Sequence, residues 1–320
     1  VSQGQGLQSS LSIAVVGDVH EQWGRGDELA LMHLGVDLVL FVGDFGNEAV
    51  SIVQQVSALP IPKAIVLGNH DAWYTATPWG RERCPYQRPE EDWFQQQLDC
   101  LGELHIGYRT LEATPHALSI VGGRPFSWGG PDWKFADFYA EYFGVSSMAD
   151  SRDRIIQAMQ SSASDTLIVL NHNGPFGLGD QPEDPCGRDW QPRGGDYGDP
   201  DLTEAIAWAK ANGKKIPLVA FGHMHHQLRH TRSRLRTRLY VDAAGTVYLN
   251  AACVPREKEM GRTTGHNFSL VTLEQGQVRQ VRSVWVTELG EILTEELLYS
   301  VDAPVEEPVL SAFALQRETL

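Results

Sequence analysis

The sequence predicts an α/β fold, and three observations carry that expectation. Five short runs rich in Val, Ile and Leu each lead into a polar, glycine-containing block. Helix-like patterns separate the earliest of these runs, which is the strand–helix–strand rhythm of a largely parallel sheet. From about residue 227 the rhythm changes to alternating runs separated by turns, as in antiparallel strands that form or complete a second sheet.

The elements follow in order. Residues 11–16 lead into Gly17-Asp18-Val19-His20. Continuous apolar runs of this length suit strands buried on both faces. A short helical pattern at 28–34 precedes the run 38–42, which ends in Gly43-Asp44. Residues 48–59 give a longer helix, with Val50, Val53, Val56 and Ser57 on an imperfect stripe. The run 64–67 leads into Gly68-Asn69-His70-Asp71. Residues 167–170 lead into Asn171-His172-Asn173-Gly174, and 218–221 into Gly222-His223-Met224-His225. Active groups of such sheets gather beyond the carboxyl ends of the strands, where all five blocks fall. The antiparallel set is expected at 235–241, 246–251, 268–273 and 278–286, with Gln275-Gly276-Gln277 as a hairpin turn.

The 320 residues are long enough to bury a sizeable core. We expect one domain over 1–287, with insertions at about 72–102 and 178–201 and an acidic tail at 288–320. The first insertion is rich in Trp, Arg, Pro and Glu, with a helix at 90–101; the second is dense in Gly, Pro and Asp. Loops this long in compact domains are usually functional or disordered. There are 26 Lys and Arg against 41 Asp and Glu, a net charge of −15. The tail carries −7 of this and residues 180–201 carry −5, so the acidity is peripheral. The balance argues against nucleic acid or an anionic membrane as partner. No run approaches the roughly 18 apolar residues of a membrane-spanning helix. Four cysteines without a C-x-x-C pair fit reduced thiols in the cytoplasm. The chain begins at Val1, so this expectation extends to a plastid-like compartment if a targeting segment has been removed.

The polar blocks supply Asp18, His20, Asp44, Asn69, His70, His172, His223 and His225. Imidazole and carboxylate donors suit Mn, Fe, Zn or Ni. Residues i and i+2 at a strand end project to one side, so Asp18 with His20, and His223 with His225, are each expected to converge on one ion. One Asp can bridge two ions about 3.5–4 Å apart, the arrangement that clamps a phosphoryl group and activates a water. Taken singly, each residue serves equally well as a helix cap or turn former. Taken together and in order, they point to a metal centre.

These blocks, in this order over residues 11–225, resemble the calcineurin-like metallophosphoesterase superfamily. The resemblance implies a four-layer α/β/β/α sandwich and a dinuclear site. It implies that Asp18, His20, Asp44 and His225 hold one divalent ion, and that Asp44, Asn69, His172 and His223 hold a second. It also implies His70 as the catalytic histidine, oriented by Asp71, while a hydroxide activated by both metals attacks phosphorus in line. The second block continues as Phe45-Gly46-Asn47-Glu48 and lacks the Asp-Arg-Gly extension of Ser/Thr protein phosphatases. The third lacks their preceding Arg and their Glu after the His, which also argues against that branch. After His20 the chain reads Glu21-Gln22-Trp23, where many relatives have glycine.

The expected function is hydrolysis of a phosphate mono- or diester of a small molecule. The alternatives are a nuclease or nucleotide phosphodiesterase, and a non-catalytic interaction module on the same fold. The sequence leaves the oligomeric state open. Arg124 is either a substrate-phosphate ligand or a surface ion pair. Asn173 either touches substrate or closes the turn before Gly174. Arg232, Arg234, Arg236 and Arg238 alternate as on one face of a strand, either anion-binding or an outer, edge-guarding face. The tryptophans of the insertions either stack on a substrate ring or form a small core. Gly194–Gly198 is either a lid or a surface turn. His226 is expected to point away from the metals. His33, His105, His116, His230 and His266 carry no motif.

Overall fold

The computed structural model describes residues 10–88, 90–113 and 116–302. The first half runs β1 (Ser10–Val16), α1 (Arg25–Leu34), β2 (Leu38–Phe41), α2 (Val50–Ala58) and β3 (Lys63–Ile65). Short helices α3 (Trp73–Ala76) and α4 (Pro78–Glu82) precede α5 (Trp93–Leu101). Then come β4 (Thr110–Ala113), β5 (Leu118–Gly122), α6 (Ala136–Phe143), α7 (Met148–Ser161) and β6 (Thr166–Leu170). Helix α8 (Pro200–Ala211) leads to β7 (Lys215–Phe221), β8 (Leu239–Val241) and β9 (Val247–Asn250). The chain closes with β10 (Glu257–Met260), β11 (Thr263–Glu274), β12 (Gln277–Val286) and β13 (Ile292–Ser300).

Among the described residues these strands form two mixed sheets. One has the order β13-β12-β11-β1-β2-β3, with β10 beside β11; the other has the order β4-β5-β6-β7-β9-β8. The alternation of side chains along each strand builds the layers. Ile13 and Val15 of β1 and Ile168 and Leu170 of β6 meet in the core between the sheets. Ala14 and Val16 face outward onto α1, α2 and α5. Leu167 and Val169 face outward onto α7 and α8. A strand covered on both faces needs no polar residue, hence the continuous apolar runs. The result is the helix–sheet–sheet–helix sandwich.

Several expectations change. The five runs do not share a sheet: β1 to β3 lie in one and β6 and β7 in the other. The later strands do not assemble together, because β11 and β12 extend the first sheet while β9 pairs in parallel with β7. The Gln275-Gly276 turn is present, with φ of 52° and 74°. Two consecutive positive φ values match the right-handed strand twist of a tight hairpin. The acidic segment set apart at 288–320 contributes β13, antiparallel to β12; residues 303–320 lie outside the described ones. The 72–102 insertion is built into the core, with Phe94 and Leu101 of α5 fully covered. No helix of the described residues is long and apolar enough to cross a membrane.

Candidate metal centre

The polar blocks turn sharply at the strand ends, and three of the expected ligands sit in left-handed backbone: His20 (φ 45°), Asp44 (φ 54°) and His223 (φ 66°). Such conformations cost of order 1–3 kcal/mol each and persist where the surrounding structure holds them, characteristically at functional sites. The glycines of the blocks leave room for the side chains. A Cβ on Gly68 would lie 2.3 Å from Asp44 Oδ1 and 2.5 Å from His172 Cε1. A Cβ on Gly222 would lie 2.2 Å from Asp18 Oδ1.

The donors gather in two groups joined by Asp44. In the first, Asp18 Oδ2 is 3.2 Å from His225 Nε2, and His20 Nε2 is 3.1 Å from His225 Nε2. Asp44 Oδ2 faces this group, 3.8 Å from His20 Nε2. In the second, His172 Nε2 is 3.0 Å from Asn69 Oδ1, 3.2 Å from His223 Nδ1 and 3.4 Å from Asp44 Oδ1. His223 and His225 therefore go to different groups, contrary to the i, i+2 expectation. The reason is that both lie past the end of β7 and His223 has left-handed backbone, so strand alternation no longer applies.

These contacts suit cations. His172 Nδ1 donates to the Val42 carbonyl across 2.7 Å, which leaves Nε2 with its lone pair. That lone pair faces carboxylate and amide oxygens and a second imidazole nitrogen, a set dominated by acceptors. Asp18 Oδ2 is buried without an aligned hydrogen-bond donor among the described residues. Burial pushes the Asp18 carboxyl up, but its contact with His225 outweighs this and leaves Asp18 below the usual range. Burial above all lowers His223 to about 3, which favours the neutral imidazole that a cation needs. Divalent ions, one in each group, would satisfy all of these donors.

His70 sits beside the bridge. Its backbone N–H donates to Asp44 Oδ1 across 2.9 Å, and its ring stacks on Trp73 with centroids 4.9 Å apart. The ring Nδ1 donates to Asn47 Oδ1 across 2.6 Å. Asp71 does not orient His70. Its carboxylate accepts from the backbone N–H groups of Gly68, Asp44 and Phe45 at 2.7, 2.9 and 2.8 Å. It ties the loops after β2 and β3 together and so places Asp44 and Asn69. Asn47 is the partner that sequence reasoning missed; its signal was only its position three residues after Asp44.

The remaining candidates lie elsewhere. Arg124 is buried, with its guanidinium 2.9 Å from Asp199 and 3.2 Å from Asp201. It is neither a surface pair nor presented to substrate. Asn173 is buried and donates to the Tyr197 carbonyl and to Asp199. Both residues anchor the 178–201 segment. The arginine stripe is not a strand face. Arg236 is buried and donates to the carbonyls of Pro182, Asp184, Gly187 and His225. Arg234 and Arg238 pair with Glu183 and Glu296. His226 points away, to the Asn250 carbonyl at 3.0 Å. Arg256 and His266 close on buried Asp27, so that cluster already holds its cation.

The family model of calcineurin-like phosphoesterases matches residues 11–227. The chain belongs to this family. Its members are metal-dependent hydrolases of phosphate esters, and in that general sense this chain is a metallophosphoesterase. No curated protein matches this phosphoesterase in sequence. A solved crystal structure with 11% identity and a TM-score of 0.51, aligned over 86% of this chain and 99% of its own, shares the fold. The phosphoesterase is also similar to a purple acid phosphatase from yellow lupin (Lupinus luteus) seeds, at 12% identity and a TM-score of 0.44 over 95% of this chain and 57% of the other. A metallophosphoesterase from Sphaerobacter thermophilus aligns at 15% identity and a TM-score of 0.32, over 86% and 88%.

Proposed function

We propose that this phosphoesterase hydrolyses a phosphate mono- or diester of a small molecule, using two divalent cations held on either side of Asp44. The observation that carries the proposal is the division of the Asp44 carboxylate, with Oδ1 turned to His172 and Oδ2 turned to His20. Asp18, His20 and His225 would hold one ion with Asp44; Asn69, His172 and His223 would hold the other. The mixed nitrogen and oxygen donors suit Mn, Fe, Zn or Ni. When bound, such a pair supplies Lewis acidity to the phosphoryl oxygens and to a water.

The protein's own part centres on His70. With Nδ1–H engaged by Asn47, the imidazolium form of the ring would present Nε2–H to a phosphoryl or leaving oxygen, where it stabilises developing charge or delivers that proton. The hydrogen bond from His70 N–H to Asp44 keeps this ring in register with the bridging carboxylate. Trp73 covers one face of the ring and keeps water from it. A cytoplasmic setting is supported by four cysteines that are all unpaired.

Elemental analysis and turnover test the proposal together. Two ions per chain are expected, with hydrolysis of 4-nitrophenyl phosphate or bis(4-nitrophenyl) phosphate lost on chelation and restored by Mn²⁺ or Fe²⁺. Fewer than one ion per chain, with neither ester turned over, would sink it.

A further inference from the structure

Beside the metal centre lies a cleft of about 580 Å³, bounded by the turn after β1, the start of α2, α3 and α5. That volume falls in the range of small-molecule sites. The cleft touches the centre at two points. Asn47, which holds His70, lines it, and so does Glu21, the neighbour of His20. Tyr74 and Trp93 add ring faces, and Val50 and Ile52 add aliphatic surface. Among the described residues no Lys, Arg or His lines it.

Glu21 is unusual here. Its φ is 64°, a backbone conformation that glycine adopts freely and an L side chain does not. It is pinned in place, since Glu21 N–H donates to the Phe45 carbonyl at 2.8 Å and His20 N–H to the Asp44 carbonyl at 2.7 Å. Its side chain passes over Gly46, where a Cβ would lie 2.8 Å from Glu21 Cγ. Glu48, the other acid of the cleft, is already engaged by Thr75 N–H, Thr75 Oγ1 and Tyr86 Oη. Glu21 has no such partner among the described residues. An exposed carboxylate on strained backbone, at the mouth of a ring-lined cleft without a cation, fits a ligand that brings its own donor.

We propose that this cleft receives the organic part of the substrate, and that Glu21 selects esters whose ring carries a cationic or N–H donor group. The same carboxylate disfavours esters with a further negative charge. The proposal rests on the phosphoesterase function of the adjoining centre, and its test separates the two. For the wild-type protein, kcat/KM on 4-(aminomethyl)phenyl phosphate should exceed that on 4-carboxyphenyl phosphate by about tenfold or more, the worth of one charge-assisted hydrogen bond. Glu21→Gln should bring that ratio near one. Trp93→Ala should raise KM for both esters and leave the ratio in place. Benzylamine alone, titrated calorimetrically, should bind the wild type about tenfold more tightly than Glu21→Gln. That binding difference supports the proposal even if neither ester is hydrolysed, in which case only the hydrolytic function fails. Equal ester ratios and equal benzylamine binding in the two proteins would overturn it.

Discussion

The Nδ1 of His70 donates to Asn47 Oδ1 across 2.6 Å, and one nitrogen of the same ring lies within 4.8 Å of the donor atoms of His20 and Asp44. A neutral amide fixes the ring's tautomer without adding a charge to a site that already contains Asp18 and Asp44. Asn47→Ala should lower kcat by about 10–100-fold, the usual cost of removing a partner that orients a functional His, with little change in metal content. Asn47→Asp keeps an acceptor and should retain more activity. Steady-state kinetics paired with elemental analysis check this; unchanged kcat in the alanine variant contradicts the orienting role.

Asp44 and His70 should separate metal binding from turnover. Asp44→Asn removes charge from both groups of donors and should lose metal and activity together. His70→Ala should keep both ions and lose about 10²–10⁴-fold in kcat, the range of general acid–base contributions. Near-normal turnover in both variants would refute the mechanism.

Arg124 should matter for folding rather than for catalysis. Arg124→Met leaves Asp199 and Asp201 buried without their cation. Breaking a buried pair from one side costs about 3–5 kcal/mol. Urea unfolding should show a loss of that size, and a variant as stable as wild type would show that the pair is dispensable.

His105 should make the fold acid-sensitive. Burial, with a contribution from Arg109, lowers its pKa from 6.5 to about 4. Its Nε2 has no hydrogen-bond partner among the described residues. The folded pKa lies below the unfolded one, so the neutral form is favoured by folding. The contribution is fully present above pH 6.5 and is lost as the pH falls towards 4. At pH 4.5 the loss amounts to about 2–3 kcal/mol. His105→Leu should lose correspondingly less stability than wild type between pH 7 and pH 4.5, measured by urea midpoints. Parallel losses in the two proteins would count against His105 as the cause.

The ordered polar blocks were legible because every strand that precedes one is buried on both faces, so apolar runs and polar ends alternate sharply. How the strands divide between two sheets was not legible, since residues 13–16 and 167–170 have the same local pattern and only non-local packing separates them. The strand β13 was hidden because its Glu295 and Glu296 face solvent and the segment reads as an acidic tail. Arg236 was misplaced for the opposite reason. Its charge suggests an outer face, yet backbone carbonyls from a segment some fifty residues away satisfy it inside the protein. Asp71 shows the limit of resemblance: the position was right, but its carboxylate binds loops rather than the neighbouring ring.

The donors are divided between the layers: Asp18, His20, Asp44 and Asn69 follow strands of one sheet, and His172, His223 and His225 follow strands of the other. Ions held there would rivet the seam between two sheets whose facing surfaces are largely apolar. A ligand that binds only the docked arrangement strengthens docking by mass action. Metal supply would then govern how long the sandwich stays closed as well as how fast it works, and a starved chain should breathe along that seam first.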